Sequence, residues 1–175
     1  MTAGENFSVF SAFKLRQLSS RIETCLGKLN DEQIWMRGNQ SSNSVGNLCL
    51  HLAGNLRQWI LHGVAGQPDT RQRDTEFAAR GGVSGAELWS ILHKTVDEAG
   101  ATIEKIGDAR LGETVRPQNY DVTVLEAIYH VVEHFAQHTG QIVFITKALT
   151  DADLGFYRHL TGARTAPPPV GEDKP

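Results

Sequence analysis

The segment VLEAIYHVVEHFAQHTGQIVFITKAL, residues 124–149, decides the fold. It contains no proline, and Gly140 is its one glycine. Its spaced apolar residues are Leu125, Ile128, Val131, Val132, Phe135, Ile142, Ile145 and Leu149. They recur at intervals of three and four, which places them on one face of an α-helix. The pattern predicts a helix of about seven turns whose apolar face is buried in a helical bundle.

Three histidines in this segment, His130, His134 and His138, follow one another at intervals of four residues. Residues four apart lie on the same side of a helix, so these side chains form a ridge beside the apolar face. With seven histidines in 175 residues, a chance triplet at this spacing is expected on the order of 0.01 times per chain. Imidazoles one turn apart can share a metal ion. The ridge therefore predicts part of a metal site that faces the inside of the bundle.

The composition is that of an ordinary globular domain. Hydrophobic residues make up 40% of the chain and charged residues 21%, with a formal net charge of −3. There is no basic run, which argues against a nucleic-acid-binding surface. No apolar run approaches the length of a membrane span, and the first residues lack the pattern of a signal peptide. Cys25 and Cys49 are far apart, and we expect buried thiols and a cytoplasmic protein.

Three further amphipathic segments accompany the histidine-bearing one. We predict helix one over residues 6–29 and helix two over residues 45–64, with Ser44 as the N-cap of helix two. Helix three follows Ser84, which forms a capping box with Glu87. The segment quoted above, starting near residue 123, is helix four.

The connections between these helices differ in length. Residues 30–43 read as a polar loop that allows a turn of helix. Residues 66–83 form a long charged connection between helices two and three, and connections of this length are usually functional or partly ordered. Residues 114–116 read as a short extended piece. We predict an all-α four-helix bundle over residues 1–163 and a disordered, proline-rich tail over residues 164–175.

Helix two carries His51, which in a bundle can meet the ridge across the core. Two registers are then open for the metal site. His130, Glu133 and His134 match H-x-x-E-H, in which two histidines bind zinc and the glutamate activates water. In the other register His134 and His138 are ligands, and Glu133 lies on a solvated face. Spacing alone does not decide between them, although a short all-α domain is a poor host for a protease cleft.

Several polar residues lie near these histidines in the sequence. Asn55, one turn after His51, and Gln141, almost one turn after the last histidine of the ridge, can either orient ligands or serve helix packing. For Arg71, Arg73 and Glu76 we expect a solvated, salt-bridged loop rather than a lid or an anion site. The sequence identifies no general acid or base.

Three stretches carry a resemblance to a known family. They are SNSVGNLCLHLAGNLRQWI (42–60), RQRDTEF (71–77) and HVVEHFAQHTGQI (130–142). Over about residues 6–150 the chain resembles the DinB/YfiT-like superfamily of metal-dependent bundle proteins. In that family one histidine comes from the second helix and two come from an H-x-x-x-H near the fourth, with a small residue and Gly-Gln after the last.

The resemblance implies a particular ligand set and a class of activity. It places the metal on His51, His134 and His138 and leaves His130 outside. It implies a divalent ion, zinc or nickel, and a low-molecular-weight thiol as cosubstrate of an S-transferase or isomerase that acts on a small electrophile. The alternatives are a metal-dependent hydrolase and a non-catalytic metal-binding or structural bundle that forms homodimers.

Overall fold

The computed structural model describes residues 1–160, so the predicted tail of residues 164–175 lies outside the described residues. The α-helices are α1 (Ala3–Leu26), α2 (Asp31–Trp35), α3 (Val45–Leu56), α4 (Arg73–Ala78), α5 (Gly85–Ile103), α6 (Asp108–Leu111) and α7 (Val124–Thr150). The strands β1 (Thr114–Val115) and β2 (Val122–Thr123) pair antiparallel. A π-helical segment (Arg57–His62) continues α3, and 3-10 turns lie at Pro117–Asn119 and Arg158–Leu160. Within the described range, none of these helices is long and apolar enough to span a membrane.

Four long helices build the core. Helix α1 packs against α5 and α7, and α3 packs against the same two helices. The pairs α1 with α3 and α5 with α7 therefore lie diagonally across the bundle. Leu15, Leu52, Leu92 and Phe135, one from each of these helices, are almost completely buried at its centre. The predicted all-α four-helix bundle is confirmed.

The starts of the long helices follow from their capping residues. Ser44, Ser84 and Thr123 each accept a hydrogen bond from the third residue of α3, α5 and α7, whose side chain bonds back to the cap. These reciprocal bonds satisfy backbone N–H groups that lack a partner in the first turn. Thr2 does the same for α1, which begins at residue 3 and ends at Leu26, so the predicted bounds of 6–29 are shifted.

The predicted second helix changes its winding after Leu56. The π-helical segment that follows includes a bond from the N–H of Gly63 to the carbonyl of Gln58, 3.0 Å long. A π turn takes an extra residue and rotates the side chains after it relative to a regular α-helix. It carries Trp59, which is buried beside the ridge on α7.

The 66–83 connection contains α4, which lies against α3. Polar bonds hold it there. Nδ2 of Asn47 donates to the carbonyl of Glu76 at 2.8 Å and to that of Ala79 at 3.0 Å. Oδ1 of Asn47 accepts from Ser44 at the start of α3. One buried amide thus caps α3 and fixes the connection to it.

Both cysteines are buried, as expected. Burial raises the pKa of the Cys49 thiol to about 12, and it raises the pKa of Cys25 as well. Neither thiol is ionised near neutral pH, which removes both as nucleophiles.

The two phenylalanines of α7 provide a test of the core. Phe135 is 1% exposed and Phe144 is 73% exposed. We expect Phe135→Ala to lower the free energy of unfolding by about 3–5 kcal/mol, because it leaves a cavity in the core. Phe144→Ala should change it by no more than about 0.5 kcal/mol. Urea unfolding followed by circular dichroism measures both, and equal losses in the two variants would contradict this packing.

Candidate metal centre

Three histidine side chains from two helices meet between α3 and α7. His51 lies on α3, and His134 and His138 lie on α7. The Nε2 atom of His134 is 3.0 Å from Nε2 of His51 and 3.1 Å from Nε2 of His138. One ring nitrogen from each histidine lies within 4.8 Å of the other two. The structure therefore brings together the three residues that the resemblance implies as ligands, and their binding of a metal stays a prediction.

Two hydrogen bonds set the tautomers of the outer histidines. Nδ1 of His138 is 2.7 Å from Oε1 of Gln141, and Nδ1 of His51 is 3.1 Å from Oε2 of Glu76. Amide and carboxylate oxygens accept hydrogen bonds, so these two contacts favour a protonated Nδ1 in both rings. Nε2 of each ring then has a free lone pair. Gln141 thus orients the ring of His138, which agrees with one of the two roles expected for it.

The carboxylate behind His51 is buried together with an arginine. Burial alone would raise the pKa of Glu76, but the hydrogen bonds from Arg71 and His51 outweigh this effect. The pKa of Glu76 therefore lies below its ordinary value. The side chains of Arg71 and Glu76 are only 2% and 9% exposed. Arg71 and Glu76 form the expected salt bridge, but the expectation that they are solvated is wrong, because the connection folds back against α3. Arg73 is exposed to solvent, as expected.

The donor set fits a divalent metal ion. Lone pairs of His51 and His138 both face Nε2 of His134, which has at most one hydrogen to donate. Nδ1 of His134 is buried and has no hydrogen-bond partner within residues 1–160. Tetrahedral zinc bound to imidazoles holds their nitrogens about 3.3 Å apart, close to the 3.0 and 3.1 Å found here. The three histidines can hold a divalent metal, but their chemistry does not select between zinc and nickel.

Burial keeps the two histidines of α7 in the form that binds metals. Burial lowers the pKa of His134 to about 3, and the nearby rings of His138 and His51 add to this effect. Burial also lowers the pKa of His138, although the hydrogen bond to Gln141 acts in the opposite direction. Near neutral pH both rings are therefore neutral and have lone pairs to donate.

His130 lies beside the site but outside the ligand cluster. Its ring is between that of Trp59, with centroids 3.9 Å apart, and that of His134, at 5.5 Å. Glu133 is exposed on the outer face of α7. The structure therefore does not assemble the H-x-x-E-H register, and it favours the register of His134 and His138.

An aromatic wall, formed by Trp59, His130 and Tyr120, flanks the histidine cluster. The rings of Trp59 and Tyr120 are stacked, with centroids 6.3 Å apart. Nε1 of Trp59 donates to Oε1 of Gln118 at 3.3 Å. Gln118 and Asn119 have φ values of 50° and 64°, in the left-handed region that non-glycine residues rarely occupy. This wall was not predicted from the sequence, since neither the π turn nor the left-handed residues have a periodic signal.

A cleft opens on the other side of the cluster, between α7 and the loop that precedes α3. Its volume is about 540 Å³. The polar residues that line it are Ser41, Ser42, Asn43, Gln137 and Gln141. None of its lining residues is charged. Gln141 connects the cleft to the histidine cluster, because its Oε1 atom is also the partner of Nδ1 of His138.

Comparisons with known proteins agree with this architecture. Residues 3–164 match a family described as a protein of unknown function, DUF1572. The fold is similar to that of a conserved protein from Enterococcus faecalis, with a TM-score of 0.66, 17% identity, and coverage of 87% of this chain and 99% of that one. It is also similar to the DinB-like protein YjoA from Bacillus subtilis, with a TM-score of 0.63, 14% identity, and coverage of 84% and 96%. No curated protein matches the sequence significantly.

Elemental analysis of single variants tests the ligand set. After incubation with zinc and removal of the excess, we expect near-stoichiometric metal in the wild type and in His130→Ala. His51→Ala and His138→Ala should bind at least about tenfold more weakly, because each loses a nitrogen that faces the ion. Loss of metal from His130→Ala with retention in His138→Ala would instead support the H-x-x-E-H register.

The lowered histidine pKa values predict how stability depends on pH. For His134 the folded-state pKa of about 3 lies below the unfolded value of 6.5. Between these values the unfolded chain binds more protons, so its free energy falls relative to the folded state. We expect the metal-free protein to have full stability above about pH 6.5 and to lose it progressively as the pH falls. Urea unfolding from pH 7.5 to 5 measures this, and His134→Gln should show a shallower slope than the wild type.

Proposed function

The chain belongs to the DUF1572 family and its fold is similar to that of a DinB-like protein, and from that premise we propose that it is a metal-dependent enzyme that joins a low-molecular-weight thiol to a small electrophile. The reaction class is S-transfer, in which the thiol loses its proton and its sulfur displaces a leaving group from the electrophile, or an isomerisation, in which the thiol adds to the substrate and is then released unchanged. The observation that supports this most directly is the convergence of three Nε2 atoms, two of them held with free lone pairs by bonds at Nδ1.

The three histidines have a defined role in this proposal. His51, His134 and His138 hold a divalent ion, with zinc or nickel as the candidates. Three neutral protein ligands leave a tetrahedral ion one open position, as in catalytic rather than structural sites. A divalent ion in this site would supply Lewis-acid chemistry, lowering the pKa of a thiol ligand so that it becomes a nucleophile at neutral pH.

The surroundings of the cluster suit two small substrates. The uncharged cleft beside Gln141 offers hydroxyl and amide groups that can bind the polar part of a thiol. On the opposite flank, the aromatic wall offers ring faces to an apolar or unsaturated electrophile. The two substrates would then approach the centre from different sides, and His130 would act as part of the wall rather than as a ligand.

Hydrolysis of the H-x-x-E-H kind is less well supported than thiol transfer. In that kind of site a glutamate near the ion activates the attacking water. Glu133 is exposed, and Glu76 lies behind His51, where Arg71 engages both of its oxygens. In the part of the chain that the structure describes, the candidate metal-binding group contains histidines and no carboxylate. The cytoplasmic location, and the homodimer of the non-catalytic alternative, stay predictions.

Turnover assays separate these activities. We expect zinc- or nickel-loaded protein to accelerate the reaction of a small thiol, such as glutathione or cysteine, with chlorodinitrobenzene, measured by absorbance. The rate should require both metal and thiol, and it should fall at least about 100-fold in a His51→Ala, His138→Ala double variant, because the ion is lost. The background rate is measured with metal salt and no protein.

The outcomes distinguish the alternatives. Metal-dependent hydrolysis of an activated ester without any thiol would favour the hydrolase. Stoichiometric metal binding with no turnover across several thiols and electrophiles would contradict the enzyme and favour a metal-binding bundle.

A further inference from the structure

We infer that Glu76 is a positioning residue that selects the His51 tautomer and thereby sets the metal affinity of the site. Arg71 binds both oxygens of its carboxylate, which packs against Gly54. The inference rests on the metal centre of the proposed function and not on its thiol chemistry. It assigns a function to the 66–83 connection, which lies outside the four long helices.

The Glu76 carboxylate makes three hydrogen bonds. Oε1 accepts from Nε of Arg71 at 2.8 Å. Oε2 accepts from Nη2 of Arg71 at 2.8 Å and from Nδ1 of His51 at 3.1 Å. Nη1 of Arg71 donates to Oε1 of Gln58 at 3.0 Å, so the guanidinium is itself held in place. A bidentate pair of this kind is both strong and directional.

Two groups compete for Nδ1 of His51. Nη2 of Arg71 lies 3.0 Å from this nitrogen, as near as the carboxylate of Glu76. A guanidinium can only donate, so a bond from it would require a lone pair on Nδ1 and would move the ring hydrogen to Nε2. Nε2 faces the other two histidines, and in that tautomer it could not bind a metal. The carboxylate prevents this, because it accepts from Nδ1–H and occupies Arg71 at the same time.

Gly54 leaves the space that the Glu76 carboxylate occupies. It lies in α3, where a Cβ atom would be 2.0 Å from Oε1 of Glu76 and 2.9 Å from Nε of Arg71. These distances are far below van der Waals contact, so any side chain at this position must displace Glu76 and Arg71. Glycine inside a helix costs about 1 kcal/mol relative to alanine. Its presence here is explained by the close approach of the carboxylate.

A pair of glycine variants tests the inference without removing a charge. Gly54→Ala improves helix propensity but displaces the carboxylate, and we expect zinc affinity to fall about 10- to 100-fold. Gly140→Ala is the matched control, because a Cβ there meets nothing within 4 Å, and its affinity should equal that of the wild type. Zinc affinity of the full chain is measured at pH 7.5 by competition with a chromophoric chelator, with circular dichroism to verify that each variant is folded.

Glu76→Gln and an NMR measurement complete the test. The ¹⁵N shifts of His51 in the metal-free protein report which ring nitrogen is protonated. We expect Nδ1 to be protonated in the wild type and in Gly140→Ala, and the proton to move toward Nε2 in Glu76→Gln and Gly54→Ala. Wild-type affinity and an unchanged tautomer in both of these variants would overturn the inference. If the wild type binds no zinc, the proposed function fails, whereas the tautomer of the metal-free protein still decides the role of Glu76.

Discussion

The architecture around the histidines depends on one constraint, which is that a polar nitrogen removed from water costs free energy unless it has a partner. Between α3 and α7 the buried ring of His51 and the half-buried rings of His134 and His138 lie where apolar side chains fill the rest of the bundle. Gln141 and Glu76 each accept a hydrogen bond from an Nδ1 atom, and this leaves Nε2 nitrogens facing one another. Mutually facing lone pairs are unfavourable unless a hydrogen or a cation lies among them, and Nε2 of His134 can supply at most one hydrogen. The local structure around the rings, including α4, follows from keeping them in this arrangement.

The long-range organisation was predictable because it depends on repeated local signals. Apolar residues at intervals of three and four mark the helices, and side chains such as Ser44, Ser84 and Thr123 mark where three of them begin. The helical repeat places His130, His134 and His138 on one ridge, but the choice of His134 and His138 over the H-x-x-E-H register came from the family resemblance. The choice of His51 as the third member did not follow from spacing. It came from the family resemblance, and the proximity of the rings is consistent with it.

The rest of the site could not be predicted, because it consists of contacts between residues distant in sequence. Arg71 and Glu76 stand in a stretch of mixed charge that is typical of solvated loops, and only the docking of α4 on Asn47 buries them. Trp59 reaches His130 through a change of helical winding that leaves the hydrophobic pattern unaltered. Gly54 is the one local indication in the sequence. A glycine inside a helix suggests that another group packs closely against it, but the sequence does not identify that group.

His51 and His134 are 83 positions apart in the sequence, so a metal ion bound by both would link distant parts of the chain. In an unfolded chain His134 and His138 stay neighbours, while His51 is free to be far away. An ion held by all three would therefore act as a reversible cross-link that closes a long loop, and it would restrict the unfolded ensemble much as a disulfide does. The strength of this cross-link would follow the free concentration of the metal. A bundle of this kind would thus report metal supply through its own resistance to unfolding, apart from any reaction at the centre.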